Sequence, residues 1–192
     1  MNNMREVKMR FVFFRHGETD SNVRQIIQGA TVDTPLNAKG LQQARLLSEN
    51  ISKYDLEKIY SSKLVRAIQT ATLSAASCNL SVHPISGLEE LHYGEAEGML
   101  IEDAIIKYAD IANDVFDLGN VNRKDVRLPD GESFNDCIAR VVPVLQKIKE
   151  ENDGNLNCVG IFTHGAVMRI LYEHYFDEVR QFANCESFEV EL

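Results

Sequence analysis

Two stretches of this chain share one local pattern, a short apolar run that stops at a histidine followed by a glycine. The first run covers residues 9–14 and leads into His16 and Gly17, and the second leads into His164 and Gly165. A nearly continuous apolar run of this length is typical of a strand that is buried on both faces, as in a parallel sheet. Because ligands bind beyond the carboxyl ends of such strands, the pattern predicts two imidazoles at a ligand-binding edge of the sheet.

Between and after these two strands, amphipathic helical patterns alternate with short apolar runs. This alternation predicts an α/β protein with three layers, α/β/α, and a mainly parallel central sheet. We expect one domain, residues 1–192, with a helical and loop insertion at about 95–130 over the predicted site. The predicted helices cover residues 38–51, 64–76, 101–118, 131–150 and 165–175, the further strands cover residues 58–60, 81–85 and 188–192, and a loop covers residues 119–127.

Charge and composition exclude some partners. The formal net charge is −9, whereas a nucleic-acid-binding protein needs a basic surface. An anionic substrate is still compatible, because a few arginines in a pocket can bind phosphate. The N-terminal residues show neither a secretory signal nor a transmembrane span, so no membrane partner is expected. The cysteines are scattered, which predicts reduced thiols in a cytoplasmic protein rather than a zinc site or a disulfide framework. They are Cys78, Cys137, Cys158 and Cys185.

Two arginines can complete an anion site around the histidines. Arg15 directly precedes His16, and Arg66 lies early in a predicted helix that follows a strand. A guanidinium binds two phosphate oxygens as a planar fork, although Arg66 taken alone would be read as part of a solvated helix face. Gly165 lets backbone N–H groups approach a ligand closely, and the helix that begins there adds its positive N-terminal end. These features together indicate a phosphate site.

A carboxylic acid near this site could protonate a leaving alkoxide. Glu89 and Glu90 lie together in a turn-prone stretch after the third predicted strand. A glutamate needs burial or a nearby anion, such as a bound phosphate, to hold its proton at neutral pH. Spacing alone does not choose between the two residues.

The chain resembles the histidine phosphatase superfamily, the phosphoglycerate mutase-like enzymes, over almost its whole length. The motifs that carry the resemblance occur in the family's order, which makes the match specific. They are Arg15-His16-Gly17-Glu18-Thr19 with Asn22, then Gln28-Gly29, Asp33-Thr34-Pro35-Leu36-Asn37, the second arginine motif at 61–71, Glu90-Leu91-His92-Tyr93-Gly94 with Glu97-Gly98, Gly131-Glu132-Ser133, and Thr163-His164-Gly165-Ala166-Val167.

The resemblance implies a role for each matching residue. His16 would attack phosphorus and become phosphohistidine, and Glu90 would protonate the leaving group and then help to activate water. Arg15, Arg66 and His164 would hold the phosphoryl group and neutralise its charge. No metal and no cofactor is implied, because these side chains take the electrostatic role of a metal. The further residues expected at the substrate are Asn22, Gln28, Gly29, Gly165 and Ala166.

Elementary chemistry adds two expectations about the nucleophile. His16 must be neutral at the nitrogen that attacks, and nearby guanidinium charges lower the pKa of an imidazole. The other ring nitrogen is expected to donate to a backbone carbonyl, with Gly17 as the candidate, and this bond would fix the tautomer.

Three functions remain open from the sequence. The favoured function is a phosphatase that hydrolyses small-molecule phosphomonoesters, and a homodimer is a possible assembly. A bisphosphoglycerate-dependent phosphoglycerate mutase is the alternative, but it needs further basic residues and a segment that excludes water. A non-catalytic module that binds a phosphorylated ligand is a minor alternative. The basic residues available to a mutase in the 95–130 insertion are Lys107, Arg123, Lys124 and Arg127.

Overall fold

The computed structural model describes residues 8–116, 123–152 and 154–192. Its strands are β1 (Arg10–Arg15), β2 (Lys58–Ser62), β3 (Val82–Ile85), β4 (Cys158–Thr163) and β5 (Ser187–Glu191). Its helices are α1 (Asp20–Val23), α2 (Ala38–Asn50), α3 (Val65–Ala75), α4 (Ile101–Phe116), α5 (Phe134–Asn152) and α6 (Gly165–Phe176), with short 3₁₀ turns at Ile51–Tyr54, Gly94–Ala96 and Arg123–Asp125. In the described part of the chain, no helix is both long and apolar enough to cross a membrane.

The strands form one sheet in the order β3-β2-β4-β1-β5. The first four strands run parallel, and β5 runs antiparallel to β1. Arg15 at the end of β1 pairs with Thr163 at the end of β4. The next residue of each strand, His16 and His164, therefore leaves the sheet at the same edge. The predicted fold class, with its mainly parallel sheet, is confirmed.

Alternate residues of β1 pack into different layers of the core. Phe11 and Phe13 belong to a cluster that contains the apolar faces of α5 and α6. Val12 and Phe14 belong to a second cluster, together with residues of α3 and the end of α2. Because successive side chains of a strand point to opposite faces, helices cover both sides of the sheet. This is the reason that β1 reads as a nearly continuous apolar run.

Helix α4 contributes to a third apolar cluster, beside the sheet edge where the histidines lie. This cluster joins Ile27 from the loop after β1 with Ala104 and Ala112 of α4. The helix is interrupted at Ala109, whose φ of 44° and ψ of −119° are not helical, whereas the sequence predicted one continuous helix to residue 118. Residues 117–122, which include part of the predicted loop, lie outside the described residues.

The sequence predicts side-chain caps at two helix starts, Ser61-Ser62 for α3 and Ser133 for α5, and the outcomes differ. At α3 the Asp33 carboxylate accepts the Val65 N–H at 2.9 and 3.0 Å. The Ser62 hydroxyl instead accepts the N–H of Leu64, the residue before the helix, and contacts His164. By contrast, the expected cap of α5 is confirmed, since the Ser133 hydroxyl accepts the N–H of Asp136 at 3.2 Å.

Helix α1 is too short for its pattern to have predicted it. Thr19 caps it by accepting the Asn22 N–H, and the Asn22 side chain accepts the Thr19 N–H in return. This reciprocal arrangement is a capping box with asparagine in the place of the usual Glu or Gln. It folds the chain back directly after the first histidine motif.

Candidate active site

His16 is held at the end of β1 by bonds from its backbone and its ring. Its N–H donates to the Thr163 carbonyl at 3.0 Å, and the side chain is 2% exposed. Ring Nδ1 lies 2.7 Å from the Gly17 carbonyl, as predicted. A carbonyl can only accept, so Nδ1 carries the proton and Nε2 presents a lone pair. This is the tautomer that a nucleophilic imidazole needs.

Burial and positive charge keep this ring neutral. Burial is the largest cause, and the Arg66 and Arg15 guanidiniums add to it, so the pKa of His16 lies well below its usual range. Burial also depresses the pKa of His164, again with a contribution from Arg66. Both rings are therefore uncharged at neutral pH.

His164 meets His16 inside the protein. The two ring centroids are 5.3 Å apart, and His164 has no exposed surface. Its Nε2 lies 2.8 Å from the Ser62 hydroxyl, which also accepts the Leu64 N–H. Its Nδ1 is buried and finds no hydrogen-bond partner among the described residues. The predicted convergence of two imidazoles that are distant along the chain is therefore present.

Arg66 is fully buried, so its reading as part of a solvated helix face is wrong. Nη2 donates to the Gly29 carbonyl at 2.8 Å and Nη1 to the Val32 carbonyl at 3.2 Å, with the Asp33 carboxylate 3.6 Å away. Nε has no partner in the described parts of the chain. The loop after β1 thus fixes the Arg66 guanidinium through its two Nη atoms, and the Nε–H remains available to a ligand.

Arg15 is fixed in a comparable way. Its Nη1 donates to the Phe182 carbonyl, in the segment that precedes β5. Its Nε is buried, and within residues 8–116, 123–152 and 154–192 nothing accepts its proton. A Cβ built on Gly165 would lie 3.1 Å from this Nε. The glycine after His164 therefore allows the Arg15 guanidinium to lie against the first turn of α6.

The structure distinguishes between the two candidate acids. The Glu90 carboxyl group accepts the N–H groups of Ala166 and Val167 at the start of α6, each at 3.2 Å, and that of Leu91 at 2.9 Å. Glu90 also lines the cavity in front of His16. Glu89 instead accepts a backbone N–H of its own turn. Glu90 is consequently the candidate acid, and the Ala166 N–H that could have bound phosphate is bound to Glu90.

The loop after β1 supplies the remaining predicted contacts. Asn22 accepts the Thr19 N–H at 3.1 Å. The Gln28 carbonyl oxygen accepts from the hydroxyls of Thr19 and Thr34 at 3.2 and 2.6 Å, which leaves the Gln28 amide group as a donor. Gly29 has a φ of 58°, a value that favours glycine.

These side chains surround a cavity of about 290 Å³. That volume is at the small end for ligand pockets and suits a metabolite rather than a polymer. His164 is enclosed beside His16 and is not part of the cavity wall, and neither is His92. Among the predicted residues, the cavity wall includes Arg15, His16, Asn22, Gln28, Gly29, Arg66, Glu90, Gly165 and Ala166.

Sequence reasoning missed several residues that hold the site together. Thr70, one helical turn after Arg66, accepts the Gly17 N–H at 2.9 Å and donates to the Arg66 carbonyl at 2.7 Å. Its i+4 spacing from Arg66 was a usable signal. Asn184 donates to the His16 carbonyl at 2.9 Å, and no local pattern marked it, because it comes from a distant loop.

The depressed pKa values predict how the two rings titrate. Above about pH 6.5 a histidine is neutral in both the folded and the unfolded chain. Below that pH the unfolded chain binds protons that the folded protein excludes, so the free energy of unfolding should fall as the pH drops. In an NMR titration of the imidazole nitrogens, we expect His16 and His164 to remain neutral at about pH 6. A doubly protonated His16 at that pH would contradict the assignment.

Comparison with solved structures shows which fold this arrangement belongs to. A mycobacterial glucosyl-3-phosphoglycerate phosphatase in a complex with VO3 superposes with a TM-score of 0.82 at 26% sequence identity. The match covers 94% of this chain and 92% of that one. A phosphoglycerate mutase from Bacillus anthracis superposes with a TM-score of 0.82 at 24% identity, over 97% of this chain and 89% of that one, so the fold is phosphoglycerate mutase-like.

The family follows from the sequence comparison. The family model for the histidine phosphatase superfamily, branch 1, matches residues 11–190. Phosphoglycerate mutase-like protein 4 of Arabidopsis thaliana is 37% identical over 165 residues, which are 84% of this chain and 69% of that protein. A metal-independent phosphoserine phosphatase of Arabidopsis thaliana is 33% identical over 164 residues, which are 84% of this chain and 66% of that protein. The chain belongs to the histidine phosphatase superfamily, as its motifs predicted.

Proposed function

We propose that the protein is a phosphatase that hydrolyses small-molecule phosphomonoesters through a phosphohistidine at His16. One observation carries the proposal. The His16 ring is fixed with its Nε2 lone pair available, and it lies among buried nitrogens that have no partner in the described residues. Arg15 Nε and Arg66 Nε are donors, and the third such nitrogen is His164 Nδ1.

In the first step, the Nε2 lone pair of His16 attacks phosphorus and forms a P–N bond. The ester P–O bond breaks, and the leaving oxygen takes its electron pair. Glu90, held at the start of α6, gives its proton to this oxygen, so that an alcohol departs instead of an alkoxide. The imidazole starts neutral and needs no base to activate it.

In the second step, water attacks the phosphohistidine. Glu90, now ionised, takes a proton from this water, the P–N bond breaks, and the electron pair returns to Nε2. Inorganic phosphate leaves, and both His16 and Glu90 are restored. One carboxyl group thus serves as acid and then as base.

The charge of the transferring phosphoryl group is balanced by protein cations. The Arg15 and Arg66 guanidiniums are both held by backbone carbonyls, so their positions are set before the substrate binds. Preorganised donors of this kind supply the electrostatic stabilisation that phosphoryl transfer requires. We therefore also propose that the reaction needs no metal ion.

A hydrolase is favoured over a mutase by the state of the basic residues in the insertion. Lys107 lies 3.7 Å from Glu95, Lys124 3.8 Å from Glu173, and Arg127 2.8 Å from Asp136. The Arg123 side chain lies outside the described residues. These paired cations are poor candidates for a second phosphate site. Two of the similar proteins are also named as phosphatases, one for phosphoserine and one for glucosyl-3-phosphoglycerate.

The test is a phosphate-release screen over a panel of phosphorylated metabolites, with and without a chelator. In parallel, phosphoglycerate mutase activity is measured with and without a bisphosphate primer. We expect release of phosphate that the chelator does not change, and a mutase rate far below the hydrolysis rate. Primer-dependent isomerisation faster than hydrolysis would favour the mutase, binding without turnover would favour the non-catalytic module, and inhibition by the chelator would contradict metal independence.

Three statements from the sequence stay predictions. We propose a single domain over residues 1–192 in which the insertion at 95–130 shapes the specificity of the cavity. Ile101 and Phe116, at the two ends of α4, support this because both line the cavity. A homodimer and a cytoplasmic location also remain predictions.

A further inference from the structure

The acid loop, residues 86–93, carries Glu90 and is neither helix nor strand. A regular ladder of backbone hydrogen bonds therefore does not fix the direction in which the Glu90 carboxyl group points. For the chemistry proposed above, that group has to reach the leaving oxygen in front of His16. The contacts that other segments make with the acid loop thus decide how well the acid is placed.

The guanidinium of Arg140, on α5, binds the acid loop at three backbone carbonyls. Its Nη1 donates to the carbonyls of Gly87 and Glu89, each at 3.1 Å, and its Nη2 donates to the Glu90 carbonyl at 3.4 Å. Nε and Nη2 also bind the two oxygens of the Glu132 carboxylate as a fork, each at 2.7 Å. A guanidinium has five N–H donors in a fixed plane, and these five acceptors match them. Arg140 thus gathers the acid loop around one rigid group.

Glu132 also holds the acid loop directly. Its backbone N–H donates to the His92 carbonyl at 2.7 Å, and its carboxylate accepts the His92 N–H at 3.1 Å. Burial disfavours the charge of both Glu132 and Arg140, but the hydrogen bonds between them hold the pKa of Glu132 below its usual value and the pKa of Arg140 above it. The pair is therefore ionised at neutral pH. A charge-assisted fork of this kind is stronger and more directional than a neutral hydrogen bond.

The ion pair lies behind the acid loop and outside the cavity. Neither Arg140 nor Glu132 belongs to the described wall of the cavity, so their effect on the reaction passes through the loop. On its other side, the loop is joined to the end of β4, because the Thr163 hydroxyl donates to the Leu88 carbonyl at 2.8 Å. The Glu90 backbone is thus held by α5, while its carboxyl group accepts from the first turn of α6.

We propose that Arg140 is a positioning residue for the acid, and that its ion pair with Glu132 holds the Glu90 carboxyl group at the leaving oxygen. This inference rests on the proposed phosphatase function and deepens it. A displacement of about 1 Å can cost about 10²-fold in rate, so a loosened acid loop should impair proton donation. The Arg15 and Arg66 guanidiniums are held by carbonyls of other segments, so the phosphoryl group should still bind.

The experiment measures kcat/KM for an alkyl phosphate from the metabolite screen and for 4-nitrophenyl phosphate, because this parameter covers the steps up to departure of the leaving group. Arg140→Gln should lower kcat/KM by about 10- to 100-fold for the alkyl phosphate and by less than about 3-fold for the aryl ester. Arg140→Lys should lose less on the alkyl phosphate, because it keeps the charge beside Glu132 but lacks the fork. Lys147→Gln is the control, since it removes an exposed cation from the same helix, and it should change neither value.

A double-variant cycle distinguishes positioning of the acid from general structural support. If Arg140 acts through Glu90, Arg140→Gln should add less than about 3-fold to the loss that Glu90→Gln causes on the alkyl phosphate. Independent effects would instead multiply. Thermal unfolding identifies any variant that does not fold, and if Arg140→Gln is one of these, Arg140→Lys takes its place in the cycle.

Failure of the inference can be told apart from failure of the proposed function. If the wild type hydrolyses neither ester, the phosphatase proposal fails. If Glu90→Gln loses equally on both esters, Glu90 is not the acid, and the inference fails with that assignment. If Glu90→Gln behaves as an acid variant, then equal losses on the two esters in the Arg140 variants, or losses that multiply in the cycle, overturn only the inference. Failure of both Arg140 variants to fold would show a purely structural role and would also overturn it.

Discussion

Replacing His16 with alanine should reduce the hydrolysis of 4-nitrophenyl phosphate by about 10⁴-fold or more, because no P–N bond can form. The Nε2 lone pair of His16 has no substitute at that place. The neighbouring ring of His164 is held 5.3 Å away, centroid to centroid, and its Nε2 is bound to the Ser62 hydroxyl. The steady-state rate of nitrophenol release measures the effect.

A second readout keeps this result specific to the nucleophile. A substrate with a radiolabelled phosphoryl group is mixed with the enzyme, and the reaction is quenched without acid because acid cleaves the P–N bond. The wild-type protein should carry the label, and the His16→Ala protein should not. His83→Ala is the matched control, because His83 is an exposed histidine at the edge strand β3. Thermal unfolding shows whether each variant folds. Turnover of the folded His16→Ala protein within about 10-fold of the wild type would remove His16 from the mechanism.

Replacing Glu90 with glutamine should produce a loss that depends on the leaving group. The alkoxide of an alkyl phosphate is a poor leaving group and needs the proton from Glu90. The kcat/KM for an alkyl phosphate should therefore fall by about 10²- to 10⁴-fold. The 4-nitrophenolate of 4-nitrophenyl phosphate leaves without protonation, so the rate of the first step with this ester should be nearly unchanged. Burst and steady-state measurements on both esters separate this step from hydrolysis of the intermediate, which also uses Glu90.

Glu89→Gln provides the control for the Glu90 variant. Glu89 is the adjacent carboxylate and accepts the Gly87 N–H in its own turn. Its replacement should therefore change kcat/KM only slightly, and by the same factor for both esters. The Glu90 carboxamide keeps one oxygen that can accept from the first turn of α6, which limits structural damage. Equal first-step losses on the alkyl and aryl esters in Glu90→Gln would show that Glu90 positions the site and is not the acid.

The parts of the fold that were predictable are those fixed by short-range patterns. The apolar run of β1 and the similar run of β4 each stop at a histidine, and parallel pairing then brings the two rings together. Element bounds agree within about three residues wherever periodicity was strong. The antiparallel direction of β5 has no local signature, because strand direction depends on the connection and not on the strand's own residues.

The parts of the site that were not predictable depend on contacts between distant segments. Arg66 carries no mark of burial in its own helix, and it is buried because carbonyls of the loop after β1 accept its protons. Asp33 and Asn184 likewise form hydrogen bonds with residues far along the chain, Asp33 with the Val65 N–H and Asn184 with the His16 carbonyl. Residue type and position made Arg66 a candidate, but its burial and its partners depend on segments outside its own helix.

The unused donors of Arg15 and Arg66 have a cost that the free enzyme carries before a ligand binds. Because they are held in place before any ester arrives, free inorganic phosphate should occupy them almost as readily as a substrate does. The enzyme should therefore be subject to product inhibition, and its turnover in a cell would decline as the phosphate concentration rises. The same binding stabilises the folded state, so a melting temperature recorded in phosphate buffer should exceed one recorded in a buffer without oxyanions.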